Sequence, residues 1–207
     1  MLPFASGASA SLIETGASYV GGQFSFTTSS VLSTLGAASG DLLITMMPGG
    51  SPGTPPALSS GNALTNTGNQ YYYRVLNGAD IAGTVGISGG GLACVIYRGA
   101  ASVAQVVGDS ASGAVTNRSI AGFTKNGAHA GLIGIAFNNS SGSSLAITSP
   151  PTFTQRALYD PSGYIANDQC LVADRLQPVN PYYISSTAFL WSSSAGASAF
   201  RILELRS

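Results

Sequence analysis

The chain has 207 residues, and its 8 Lys and Arg balance its 8 Asp and Glu, so the formal net charge is zero. Only 8% of the residues are charged, whereas an ordinary soluble domain carries about 25%. The single lysine, Lys125, and the dispersed arginines form no basic stripe, so we expect no nucleic-acid partner. With 44% hydrophobic residues, the composition excludes a disordered chain.

The N-terminal region precedes the first predicted strand. Residues 1–19 lack a basic segment followed by a sustained apolar run, so we expect no secretion signal, and they could form an extended arm. From there to the C-terminus, Gly or Ser interrupts almost every window of ten residues, which disfavours helices. One short helical turn is predicted at Ser30–Leu35.

Short segments of apolar or alternating residues recur along the rest of the chain and predict β-strands. The predicted strands, in chain order, are Val20–Thr28, Asp41–Met47, Gln70–Asn77, Ile81–Ser88, Leu92–Arg98, Val103–Val107, Ser119–Lys125, Gly131–Asn138, Leu145–Thr148, Phe153–Tyr159, Gln169–Leu176, Tyr183–Ser192 and Ala199–Arg206. Turn sequences such as Asn77-Gly78, Gly89–Gly91 and Gly108-Asp109 separate them. About a dozen short strands predict an all-β fold, an antiparallel β-sandwich of jelly-roll-like form.

The order of the predicted strands occurs twice. The matching segments are Asp41–Met47 with Gly131–Phe137, Tyr73–Val75 with Ala173–Arg175, Thr84–Ser88 with Ala188–Ser192, and Leu92–Gly99 with Phe200–Ser207. Each half is too small to be securely stable alone, so we expect both halves to share one core within a single domain, residues 1–207. The alternative is that antiparallel meanders impose the same order without common descent.

The residues that usually hold metals are sparse. Cys94 and Cys170 are too few for a disulfide framework, and we expect both to be free thiols packed as small hydrophobes. Together with His129, the only histidine, they fall short of a zinc site. No apolar run approaches the roughly 18 residues that span a bilayer. We therefore expect no metal, no cofactor and no membrane partner.

The sequence contains no recognisable catalytic motif. His129 lies in Gly127–Gly131, at the start of a predicted strand, but no Gly-x-Ser-x-Gly elbow joins a strand to a helix. The acids are scattered, and no local motif pairs two of them as a glycoside hydrolase would require. We predict that the protein is not an enzyme. The alternative is a serine hydrolase that uses His129.

Aromatic and arginine residues in the predicted strands are the candidate binding residues. They are Tyr71, Tyr73, Arg74, Arg175, Tyr182, Tyr183 and Trp191. Because consecutive strand residues point to opposite faces, at least one ring of each tyrosine cluster should be exposed or at an interface. The alternative is that these rings fill the core and the sheet rim. A mid-strand arginine is expected either to pair with an acid or to face a partner.

Four short segments together resemble a known group of proteins. They are Gly40–Ile44, Tyr71–Val75, Tyr97–Gly99 and Pro150–Thr154. This set is similar to segments of the small Gly/Ser/Ala-rich β-sandwich proteins found among the head and tail accessory components of tailed bacteriophages. The resemblance runs from about residue 20 to the C-terminus, but Pro56–Gly61 departs from the Pro-x-Gly-Trp-Thr-like step of the pattern. It implies a non-enzymatic virion protein and no catalytic residue.

The function that we expect is therefore that of a bacteriophage virion protein, most directly a capsid decoration or cement subunit. Because a surface with few charges resists association weakly, its partners would be other virion proteins and copies of itself. Assembly of the virion would take place in the cytoplasm of the bacterial host. The alternatives are a tail accessory protein and a carbohydrate-binding domain. The latter would recognise a host-surface glycan through Tyr71, Tyr73, Tyr182 or Trp191.

Overall fold

A computed structural model describes most of the chain after its first fifteen residues. The described ranges are 16–25, 29–47, 54–68, 71–88, 92–111, 115–120, 123–124, 131–139, 145–146, 153–159, 168–176, 183–184, 187–195 and 197–207. Every strand pair within these ranges is antiparallel. The predicted all-β, antiparallel sandwich-like fold is thus confirmed, while the jelly-roll description stays a prediction.

The strands divide between two halves of the chain. The first half contains β1 Ser18–Ser25, β2 Ser29–Val31, β3 Leu42–Met46, β4 Ala57–Leu58, β5 Thr65–Gly68, β6 Tyr71–Val75, β7 Thr84–Gly86 and β8 Leu92–Arg98, with a 3-10 turn at Ser33–Leu35 and one helical turn, α1, at Gly78–Ile81. The second half contains β9 Ser102–Ala111, β10 Val115–Ile120, β11 Phe123–Thr124, β12 Gly131–Asn139, β13 Leu145–Ala146, β14 Thr154–Tyr159, β15 Asp168–Arg175, β16 Tyr183–Ile184, β17 Thr187–Ala195 and β18 Ala197–Arg206.

The two halves have the same sheet topology. In the first half, a five-stranded sheet of order β1-β8-β3-β6-β5 accompanies a three-stranded sheet of order β2-β7-β4. In the second half, the five-stranded sheet has the order β9-β18-β12-β15-β14 and the three-stranded sheet the order β10-β17-β13. Each strand of these four sheets therefore has a counterpart in the other half, whereas β11 and β16 pair with each other in a separate two-stranded sheet. The four pairs of repeated segments fall on β3 and β12, β6 and β15, β7 and β17, and β8 and β18.

The two five-stranded sheets pack face to face. One cluster of buried side chains combines Ile44 and Val95 of the first half with Ile133, Val172 and Leu203 of the second. The halves therefore share a core, which is called the joint below. The joint also has a symmetric arrangement, because β9 lies against β5 and Arg156 of β14 lies over Tyr19 of β1. Since β9 corresponds to β1 and β5 corresponds to β14, the two contacts are equivalent. The two halves are therefore related as the subunits of a twofold dimer are.

The five-stranded sheet of the first half is buried on both faces. Its second face packs, through Leu43 and Ile96, on Val85 of the smaller sheet. This double burial explains why β3 is a continuous apolar run, with all of its residues buried, rather than an alternating one. In the second half, Leu132 and Ile202 alternate with the joint residues and are buried as well, so that sheet is also covered on both faces.

Two local predictions are wrong. The predicted strand Ile81–Ser88 is shortened to β7, because Ile81 belongs to α1, which a capping box between Asn77 and Asp80 begins. The predicted turn at Gly108-Asp109 lies inside β9, where both residues pair with β18. Long-range pairing there outweighs the local turn preference of the Gly-Asp sequence.

Candidate functional site

The tyrosines of β6 are core residues. Tyr71 is only 3% exposed and lies in the joint, and burial raises the pKa of its hydroxyl far above the usual value. Tyr73 is half-buried against the same cluster, whereas half-buried Tyr72 packs on the core inside the first half. Because Tyr72 and Tyr73 are partly exposed, the expectation that one ring of this cluster is exposed or at an interface stays a prediction. Tyr71 is therefore a core residue.

Arg74 pairs with an acid of its own chain. Its Nε donates to Oδ2 of Asp80 over 3.0 Å, and Asp80 also accepts from Ser60 Oγ (2.6 Å), Asn62 Nδ2 (2.7 Å) and the Asn77 backbone N–H (3.0 Å). Burial acts to raise the pKa of Asp80, but these hydrogen bonds outweigh it and hold the pKa well below its usual range. These hydrogen bonds connect the loop before β5 to α1. Of the two outcomes expected for Arg74, pairing with an acid is therefore the one observed.

The remaining predicted binding residues belong to the second half. Arg175 is half-buried at the end of β15, where its backbone pairs with Leu132. The backbone of Tyr183 pairs with Thr124, and that of Trp191 pairs with Leu145. Tyr182 and His129 lie outside the described residues. The backbone therefore places Arg175, Tyr183 and Trp191 in three different sheets.

Both cysteines are free and buried, as predicted. Cys94 lies in the core inside the first half, and Cys170 lies in the joint. Burial raises the pKa of both thiols, which keeps them in the unreactive protonated form. The two thiols are thus placed in two different cores of the molecule.

The joint contains a polar cluster built around Asp174. This residue is 1% exposed, and its Oδ2 accepts from Arg156 Nε over 2.8 Å and from the Tyr97 hydroxyl over 3.2 Å. The Tyr97 ring makes an edge contact with Tyr19, with 5.7 Å between centroids, and the Arg156 guanidinium lies 5.4 Å from the Tyr19 ring centre. The cluster, called the Asp174 cluster below, thus takes two side chains from each half.

Only one of the two carboxylate oxygens of Asp174 accepts hydrogen bonds. Asp174 Oδ1 is buried without a hydrogen-bond partner. Burial raises the pKa of Asp174, although Arg156 and the Tyr97 hydroxyl oppose it. Burial, followed by the charge of Asp174, raises the pKa of Tyr97 well above its usual value. The Asp174 carboxylate itself is covered, whereas the Arg156 and Tyr19 side chains of the cluster are partly exposed.

The Asp174 cluster breaks the symmetry of the joint. Its four side chains come from β1, β8, β14 and β15, whose counterparts are β9, β18, β5 and β6. The pair Tyr19 and Tyr97 corresponds to the pair Val103 and Leu205, whose apolar side chains belong to the joint. Only one of the two equivalent places therefore carries a buried charge among the residues whose side chains are described.

Sequence reasoning missed this cluster, although one signal was present. Asp174 occupies the same face of β15 as Cys170 and Val172, and a charged residue in a buried row of alternate residues is unusual. Its partners Arg156 and Tyr97 lie far away in the sequence, so nothing local connects them to Asp174. The strand assignment alone could have marked Asp174 but not the residues around it.

A groove of about 360 Å³ lies beside the smaller sheet of the first half. Leu58 and Ile87 line it together with the hydroxyls of Ser59 and Thr84, and none of its lining residues is charged. The Ser59 hydroxyl already accepts the backbone N–H of Thr84 over 2.8 Å. The groove therefore presents mainly apolar surface and no group for acid–base chemistry.

Within the described ranges, no three His, Cys, Asp or Glu side chains are placed to hold a metal ion. The same part of the chain has no helix long and apolar enough to cross a membrane. The comparisons with known proteins find no matching family model, no similar curated protein and no similar solved structure.

Proposed function

We propose that the chain is a non-enzymatic structural protein of a bacteriophage virion, and specifically a subunit that decorates or cements the capsid. One observation carries the assembly part of this proposal. Every acidic side chain whose burial the structure describes is at most 2% exposed, namely Asp41, Asp80, Asp174 and Glu204. The described surface thus presents hydroxyl, amide and apolar groups together with arginines.

Several of these arginines are neutralised by the buried acids. Arg98 donates from two nitrogens to the two oxygens of Asp41, each over 2.9 Å, and Arg74 and Arg156 pair with Asp80 and Asp174. Ions that are already paired inside the chain need not lose water when another subunit approaches. Protein interfaces are likewise depleted of acids and of lysine at their centres. This surface suits a protein that neighbouring subunits cover in an assembly.

The edge of the second large sheet provides a means of association. Within the described residues, β9 is its outer strand, and residues 105–111 pair with β18 without a register shift. The strand contains no lysine, arginine or proline, and Asp109 is its one charged residue, so few of the groups that usually protect an edge are present. We infer that a neighbouring virion subunit covers this edge.

The assignment to a virion rests on the resemblance of Gly40–Ile44, Tyr71–Val75, Tyr97–Gly99 and Pro150–Thr154 to segments of phage accessory proteins. A tail accessory role remains the alternative placement. The carbohydrate-binding alternative is weakened, because Tyr71 is buried and Tyr73 packs on the joint. Of the four rings offered as alternatives, Tyr71 is thus a core residue and Tyr73 is half-buried.

Quantitative mass spectrometry of purified phage particles tests the proposal. Hundreds of copies per particle would support a capsid subunit, and a handful would place the protein in the tail. Absence from particles, or strong binding to a glycan array by the free protein, would overturn the assembly proposal.

A matched pair of variants tests the β9 edge. Val107→Lys introduces a charge on β9, whereas Val75→Lys places the same charge at the end of β6, where Val75 is already 40% exposed. With both variants shown to fold by thermal unfolding, we expect Val107→Lys to lower the copy number in particles and Val75→Lys to leave it unchanged. Equal incorporation of the two variants would exclude the edge as the contact surface.

A further inference from the structure

The joint contains a carboxylate whose hydrogen bonding is incomplete. Both donors of Asp174 reach Oδ2, and Oδ1 is buried with none. An ionised oxygen without a donor in a buried site costs far more free energy than a neutral group in the same place. The docked arrangement of the two halves thus favours the protonated form of Asp174.

We propose that the protonation of Asp174 controls how firmly the two halves dock, with the joint tightest when Asp174 is neutral and looser when it is ionised. This inference is independent of the proposed function, since it concerns the chain alone. It makes the strength of the contact between the two halves depend on pH.

The groups around Asp174 decide the direction of the effect. Arg156 of β14, Tyr97 of β8 and Tyr19 of β1 face it, while its backbone neighbours on β12 and β14 are Ile133 and Thr154. Among these groups, the cation is Arg156. Its side chain is 31% exposed, so water screens part of its charge. It therefore neutralises Asp174 incompletely.

The sign follows from proton linkage. Because burial raises the pKa of Asp174 in the folded chain, its contribution to stability is complete below the unfolded pKa of about 3.9. That contribution is lost as the pH rises through the higher pKa of the folded state. The joint is accordingly expected to be weakest at neutral pH and to tighten as the pH falls.

The chain carries its own probes for this effect. Cys170 lies in the joint, whereas Cys94 lies in the core inside the first half, and both are fully buried. A thiol reagent reaches Cys170 when the joint opens, and it reaches Cys94 only when the first half opens. The labelling rate of Cys170 relative to Cys94 thus measures the joint specifically.

The test compares the full-length wild type with Asp174→Asn at one neutral pH, so that the intrinsic reactivity of the thiols is equal in both. We expect the variant to label Cys170 more slowly, by up to about fivefold, with Cys94 unchanged. Equal Cys170 rates in the two proteins, or a faster rate in the variant, would overturn the proposal.

A second variant keeps the test decisive if Asp174→Asn fails to fold. Arg156→Gln removes the cation that stabilises the ionised form of Asp174. Cys170 labelling at neutral pH should therefore be faster than in the wild type. This difference should disappear in acid, where Asp174 is neutral. An acceleration that is the same at both pH values, or none at all, would contradict control by Asp174.

Discussion

Asp80 and Asp174 are both buried acids paired with an arginine, but their pKa values shift in opposite directions. Burial acts to raise the pKa of both. Four donors reach Asp80, two on each oxygen. Two donors reach Asp174, both on the same oxygen. The fewer donors of Asp174 and its deeper position between two sheets therefore both contribute to the opposite sign of its shift.

The difference reflects where each acid lies in the fold. The donors of Asp80 include Ser60, Asn62 and the backbone of Asn77, which lie outside the strands and can fold around the carboxylate. The donors of Asp174 project from strands of two packed sheets. Strand directions are fixed by the ladder, so those sheets cannot rearrange to supply a further donor.

The largest effect is expected for Asp80→Ala, which removes the acceptor of all four hydrogen bonds. The variant leaves Arg74, Ser60 and Asn62 without their common partner, and losing one member of a buried pair costs about 3–5 kcal/mol. Chemical denaturation at neutral pH measures the loss. Ala79→Ser, at the exposed neighbouring position on α1, is the control and should stay within about 0.5 kcal/mol of the wild type.

A smaller loss is expected for Asp80→Asn, and it should depend on pH. Because the pKa of Asp80 is lowered in the folded chain, its stabilisation is present above the unfolded pKa of about 3.9 and is lost as the pH falls toward the lower folded value. At neutral pH the variant should lose about 1.5–3 kcal/mol, as for hydrogen bonds to a charged group. The difference from the wild type should shrink in acid; a constant difference would show that the charge is irrelevant.

Tyr97→Phe tests the hydrogen bonding of Asp174, the acid with fewer donors. It deletes a hydroxyl that donates to Asp174 while retaining the ring that packs on Tyr19. We expect a loss of about 1–2 kcal/mol at neutral pH, and a smaller loss in acid, where Asp174 is neutral. Tyr73→Phe, on the same core but away from Asp174, is the control for thermal unfolding. Equal losses in the two variants would indicate general packing rather than the hydrogen bond.

The contrast also indicates what could be predicted from the sequence. The repeated strand order was visible because Asp41–Met47 and Gly131–Phe137 are local patterns. The Asn77-Gly78 pair favoured a turn, although Asp80 three residues after Asn77 has the spacing of a capping box. The Asp174 cluster depends on Tyr97, 77 residues away, and one sequence contains no information on that pairing.

The smallest effect is expected for Asp174→Asn at neutral pH. The amide avoids the cost of a buried charge but weakens the contact with Arg156, so the two changes nearly cancel and stability should lie within about 1 kcal/mol of the wild type, on the stabilised side. As the pH falls, the wild type should approach the variant, because Asp174 becomes neutral in the folded chain first. Denaturation across this pH range measures the difference. A loss as large as that of Asp80→Ala would mean that Asp174 stabilises the joint as an anion, and the two carboxylates would then be alike.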